Sequence, residues 1–130
     1  MIVDTSALMA ILLDEGDAQQ YAAALAKAGP CRLSAATFVE AAVVIEVHSK
    51  GGGGGRQLDA LLRRAGISIE PVTAQQAQIA RQAYLDFGKG RHPAGLNFGD
   101  CFAYALAQAT GEALLFKGHD FSQTDVTPAL

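Results

Sequence analysis

Apolar positions along this chain switch repeatedly between short continuous runs and helical spacing. Met1-Ile2-Val3 is a run that suits a buried strand. Behind it, Leu8, Ile11 and Leu12 share a helical face, with Thr5 or Ser6 placed to cap that helix and Gly16 to stop it. Asp17 with Gln20 has the form of a capping box, opening a second helix that runs to about Ala28. Gly29-Pro30 breaks the chain, Cys31 to Ser34 reads as a second strand, and Thr37 to His48 is strongly helical. The glycine run Gly51 to Gly55 predicts a flexible, hairpin-like connection. A helix through Leu58, Leu61 and Leu62 follows, then a third strand at Ile67-Ser68-Ile69. Thr73 with Gln76 opens a helix to about Phe87, and Gly88 to Gly95 is a glycine-rich, basic loop. Asn97 caps a helix to Ala109, Ala113 to Phe116 is a fourth strand, and a short last strand is expected near Val126.

Strands alternating with helices predict an α/β fold: a mostly parallel central sheet flanked by helices. The chain has 130 residues, a length that suits one domain over residues 1–130. Half of the residues are hydrophobic and 18% are charged, which supports an ordinary core and excludes a disordered chain. No apolar run approaches the roughly 20 residues of a membrane span. Met1 to Asp4 has neither the basic nor the apolar segment of a signal peptide. Cys31 and Cys101 form no metal-type pair and read as buried thiols. A soluble cytoplasmic protein is expected. The net charge of −3 argues against a general polyanion binder, so a nucleic acid would need a local basic patch or metal ions.

Most of the 13 acids flank turns or sit on polar faces; four are harder to dismiss. Asp4 directly follows the first strand, and ligands gather at the carboxyl ends of parallel strands. Taken alone it reads slightly better as a helix cap, although Thr5 or Ser6 could do that job equally well. Glu40 has Val43, Val44 and Val47 as helical neighbours, an apolar stripe that turns its carboxylate toward the core side. The pair Thr37 and Glu40 would also make a capping box. Asp100 has Ala103, Tyr104 and Ala107 as helical neighbours, and the helix dipole would favour an acid there by up to about 1 kcal/mol. Asp120 follows the last clear strand, where Asp is also a common turn residue. Asp125 is a weaker candidate of the same kind. Together these acids can meet across the carboxyl edge of the sheet. Four converging carboxylates repel unless protons or cations neutralise them, and hard oxygen donors suit Mg²⁺ or Mn²⁺. Such a set serves metal-assisted phosphodiester hydrolysis.

The ordered set Ile2-Val3-Asp4-Thr5-Ser6-Ala7-Leu8, Glu40 on an Ala/Val helix, Gly95-Leu96-Asn97-Phe98-Gly99-Asp100-Cys101, and Leu114 to Phe121 through Thr124-Asp125-Val126 resembles the PIN-domain toxins of the VapC type. The resemblance covers essentially the whole chain. It implies a PIN-like fold and a Mg²⁺-dependent endoribonuclease, with Mn²⁺ as a substitute. It also implies a homodimer, paired with a small VapB-type antitoxin that blocks it. Asp4 and Asp100 fall on the principal metal-ligand positions, Glu40 on the internal acid and Asp120 on the fourth. His119 departs from the pattern, standing where Asn or an acid is expected. The chemistry implied is attack of an activated water on RNA, leaving a 5′-phosphate and a 3′-hydroxyl. Lys89, Arg91 and His92, ahead of Asn97, and Lys117 with His119, ahead of Asp120, are candidate phosphate contacts. Ser6 is a candidate partner of Asp4 or phosphate, and Asn97 of Asp100, beside their capping roles. Phe98 and Tyr104 read as core. The competing reading is a PIN-like module that binds RNA or protein without cutting. A Mg²⁺-binding phosphate receiver is disfavoured, since no Asp ends a middle strand.

Overall fold

The computed structural model describes residues 1–130. Strands β1 (Ile2–Val3), β2 (Cys31–Ser34), β3 (Ile67–Glu70) and β4 (Leu114–Leu115) pair in the order β3-β2-β1-β4. Every pairing is parallel. Helices α1 (Thr5–Leu12), α2 (Ala18–Lys27), α3 (Ala35–His48), α4 (Gly54–Ala65), α5 (Ala74–Phe87) and α6 (Phe98–Thr110) provide the crossovers, and a short 3-10 turn covers Phe121–Gln123. The expected α/β architecture with a parallel sheet is therefore present.

Strand alternation divides the core in two. Val3, Leu33 and Leu115 pack with Leu8, Leu25, Ile45 and Leu58 of α1 to α4. Ile2 and Leu114 pack with Ala83, Leu96, Leu106 and Phe121, beneath α5, α6 and the tail. Adjacent strand residues thus feed opposite faces, as a period of two requires, and a doubly covered sheet explains the unbroken apolar runs. Cys31 and Cys101 are buried and free, as expected. No helix is long and apolar enough to cross a membrane.

Several boundaries differ from the sequence reading, each for a local reason. Asp4 itself caps α1, accepting from the Ser6 N–H, so neither Thr5 nor Ser6 does. Asp17 makes no side-chain cap; its carboxylate instead receives Lys117 Nζ at 2.8 Å. Ser34 caps α3 through the Ala36 N–H, so the helix starts before Thr37 and the Thr37–Glu40 box does not form. The last two glycines of the run enter α4, while Gly51, Gly52 and Gly53 take φ values of 85°, 83° and 93°, which a side chain would strain. No strand forms near Val126; the tail only brackets Leu114, through one bridge at Pro128. The buried side of α3 is Thr37, Ala41 and Ile45, which turns Val39, Val43 and Val47 outward. Val43 and Val47 do not reach the core, and Val47 is 79% exposed.

Candidate active site

The parallel order brings the ends of β1 and β4 side by side, and the chain leaves β1 straight into Asp4. Its backbone N–H bonds the Leu115 carbonyl at 2.9 Å, tying it to the neighbouring strand. The residue is 3% exposed. Oδ2 accepts from the Ser6 N–H at 3.0 Å and from Ser6 Oγ–H at 2.6 Å. Ser6 Oγ in turn accepts from the Lys117 N–H at 2.9 Å, so the residues after β4 help to aim Asp4. Asp4 Oδ1 is buried and has no hydrogen-bond partner. A native buried oxygen left in this state is costly unless a ligand completes it. Burial holds the Asp4 carboxyl above its ordinary range against the bonds from Ser6, and the charge of Glu40 pushes the same way.

Asp100 lies in the first turn of α6. Its carboxylate accepts the Asn97 N–H at 3.0 Å, while Asn97 Oδ1 accepts the Asp100 N–H at 2.9 Å, a reciprocal capping box. Burial, opposed by the Asn97 bond and aided by the charges of Asp4, Asp120 and Glu40, raises its pKa from 3.8 to about 7. That set of influences puts all four acids within electrostatic reach of one point. Glu40 reaches across from α3, and its Oε1 accepts Thr5 Oγ–H at 2.5 Å. Its Oε2 lies against Gly99, where a Cβ would overlap it outright. Asp120 is exposed at the start of the 3-10 turn. No three acids, histidines or cysteines close tightly on one position. The donor set nevertheless fits a hard divalent cation, which needs one or two direct carboxylates and keeps several waters. Asp4 Oδ1 is the free buried oxygen such an ion would take.

The remaining candidates make other contacts. Asp125 accepts from Tyr104 Oη–H at 2.7 Å and from Gln108 Nε2 at 3.2 Å, fastening the tail to α6 rather than joining the four acids. His119 is exposed, its carbonyl accepting Ser122 Oγ–H. Arg91 is exposed and its Nε donates to the Leu85 carbonyl at 3.4 Å. His92 is spent locally: Nδ1 accepts the Ala94 N–H at 3.0 Å and the ring stands edge-on to Phe87. Lys117 is not a free phosphate contact, because Glu15 and Asp17 both hold its ammonium. Phe98 is not core but 79% exposed, packed edge-on against Phe102, whereas Tyr104 is buried as expected. Burial raises the Cys101 thiol to about 11, so it is no nucleophile at neutral pH. Sequence reasoning overlooked Gly99 and the bond from Thr5 to Glu40. The available signal was a glycine in the first turn of a helix, where alanine is intrinsically better.

A family model described as PIN domain matches residues 1–126. Ribonuclease VapC28 of Mycobacterium tuberculosis is 54% identical, over 100% of this chain and 98% of its own length. Ribonuclease VapC30 of the same species is 51% identical, over 97% and 95% of the two chains. The Ribonuclease VapC of Mycolicibacterium smegmatis is 52% identical, over 97% of each. Among solved structures, Mycobacterium tuberculosis VapC20, described as a sarcin-ricin loop cleaving toxin, superposes with a TM-score of 0.77 at 19% identity. That match covers 97% of this chain and 95% of the other. A toxin-antitoxin complex from Klebsiella pneumoniae gives a TM-score of 0.68 at 17% identity, over 95% and 92% of the chains. These two extend the likeness in fold, and the near relatives set the lineage: the chain belongs to the PIN domain family, among the VapC ribonucleases.

Proposed function

We propose that this chain is the toxin of a VapC-type toxin–antitoxin pair, an endoribonuclease that hydrolyses RNA at the cluster of Asp4, Glu40, Asp100 and Asp120. The observation that carries this reading is the buried, unpartnered Oδ1 of Asp4 beside an Asp100 carboxyl held at about 7 by burial and by three other acids. Asp4 and Asp100 would hold the metal, Mg²⁺ with Mn²⁺ as substitute. When bound, the ion offsets the carboxylate charge, makes water a stronger nucleophile and stabilises charge developing on the phosphate. Ser6 fixes which oxygen Asp4 presents, by occupying the other. Asn97 fixes Asp100 in the same way. Glu40 and Asp120 orient water for in-line attack and hold its proton. Attack by water leaves a 5′-phosphate and a 3′-hydroxyl.

The partners of this reading are RNA, a VapB-type antitoxin and a second copy of the chain, in the cytoplasm. The outward-facing Val39, Val43 and Val47 of α3, with Phe98 at the start of α6, support the homodimer. The fold as one domain over residues 1–130 accommodates all of these roles. The test is inducible expression with and without the adjacent small gene, followed by mapping of RNA ends. Growth arrest relieved by that gene, with new 5′-phosphate ends, is expected. RNA binding without any cleavage, or 2′,3′-cyclic phosphate ends, would overturn the hydrolytic reading.

A further inference from the structure

We propose that Gly99 and Thr5 are positioning residues that together seat the Glu40 carboxylate, Gly99 by leaving the space it occupies and Thr5 by hydrogen-bonding it. This rests on the reading of the four acids as the reactive cluster. Glu40 stands on α3, whereas the other acids sit at the end of β1, on α6 and at the start of the 3-10 turn, so its long side chain must be fixed by elements other than its own. Thr5 supplies one hold: it is buried, and its hydroxyl donates to Oε1 at 2.5 Å. Gly99 supplies the other. Any Cβ at that position would fall on Oε2 and on the carboxyl carbon behind it.

Nothing else in the structure calls for glycine there. Gly99 is in α6 and is not among the glycines with positive φ, so its backbone would accept any residue. A glycine in the middle of a helix costs about 0.5–1 kcal/mol relative to alanine, and part of that cost applies in the first turn, where Gly99 lies. Its one tight neighbour is the far end of Glu40. The glycine therefore trades helix stability for the place of one carboxylate. Each hold also adjoins a principal acid, Thr5 next to Asp4 and Gly99 next to Asp100, so the seat is keyed to both. Because Glu40 is flexible, a methyl at 99 displaces the carboxylate without unfolding the helix.

The test is a cycle of Gly99→Ala, Glu40→Ala and the double variant, read by RNA cleavage and thermal melting, with a crystal structure of Gly99→Ala. Cleavage by Gly99→Ala should fall about ten- to hundredfold, the range for losing a supporting contact at such a site. Its melting temperature should stay level or rise. In the Glu40→Ala background, Gly99→Ala should cost no further activity, because its target is gone. Thr5→Val should lose more activity than Thr5→Ser, which keeps the hydroxyl. The crystal structure should show Glu40 off the Thr5 hydroxyl. Wild-type activity in Gly99→Ala, losses that multiply in the double variant, or Glu40 still bonded to Thr5 would overturn the proposal. Failure of the wild-type chain to cut RNA would sink the functional reading instead, and the crystal structure would still judge the seat.

Discussion

Replacing Asp100 by Asn should stabilise the metal-free protein at alkaline pH while abolishing its chemistry. The native Asp100 carboxyl has a pKa of about 7, against 3.8 ordinarily. Native protein therefore keeps a proton that the unfolded chain releases between those values, and stability falls as pH rises through that window. Below 3.8 both states are protonated and nothing is lost; above about 7 the full cost is present. At face value the gap corresponds to about 4 kcal/mol, and water reaching the cleft reduces it to about 1–2 kcal/mol. The bond from the Asn97 N–H at the helix N-terminus works the other way, and the value of about 7 already includes it, so the net sign holds. An amide oxygen can still accept the Asn97 N–H, so the capping box survives and does not confuse the reading. Urea unfolding in EDTA at pH 5 and pH 8 measures it. Asp100→Asn should exceed the wild type by about 1–2 kcal/mol at pH 8, and by less at pH 5. Magnesium should stabilise the wild type and not the variant, since only binding to the native state shifts the balance. A variant that is less stable at pH 8, or a difference indifferent to pH, would refute the idea that burial and neighbouring acids strain this carboxylate.

Other consequences follow from single contacts. Ser6→Ala removes the hydroxyl bond to Asp4 Oδ2 and leaves only the backbone N–H there, and should weaken Mn²⁺ binding and cleavage about ten- to hundredfold, measured by calorimetry and single-turnover assays. Tyr104→Phe removes the bond to Asp125 and should cost about 1 kcal/mol in urea unfolding, with cleavage kept, since that pair only anchors the tail. Val43→Asp puts a charge in the outward stripe of α3 and should convert a dimer to a monomer in sedimentation equilibrium.

Much of the fold was legible because the apolar pattern and the sheet obey the same period. Ile2 and Val3, like Leu114 and Leu115, serve opposite faces of a covered sheet, and such runs announce buried parallel strands. The four acids stood out only as a set, because each alone had a local reading as cap, capping box, dipole partner or turn residue. What the pattern hid was direction. Val43 and Val47 share a helical face with Glu40 and look like core, but apolar spacing reads the same whether a helix buries its stripe against its own sheet or leaves it for another chain. Phe98 misled in the same way. Asp4 and Asp100 both take part in helix caps, a role that residue types alone cannot separate from a place in an acid cluster. Gly99 was invisible as a functional position because its role is an absence of atoms, apparent only once Glu40 is seen lying over it.

The proposed function stands on Asp4 presenting one buried oxygen to a metal that drives RNA hydrolysis. Its most direct test is cleavage of RNA by the purified chain in Mg²⁺, with and without EDTA, beside Asp4→Asn. The wild type should cut and EDTA should stop it, and a folded Asp4→Asn protein should not cut. Cleavage that survives EDTA, or that Asp4→Asn performs at the wild-type rate, would contradict it.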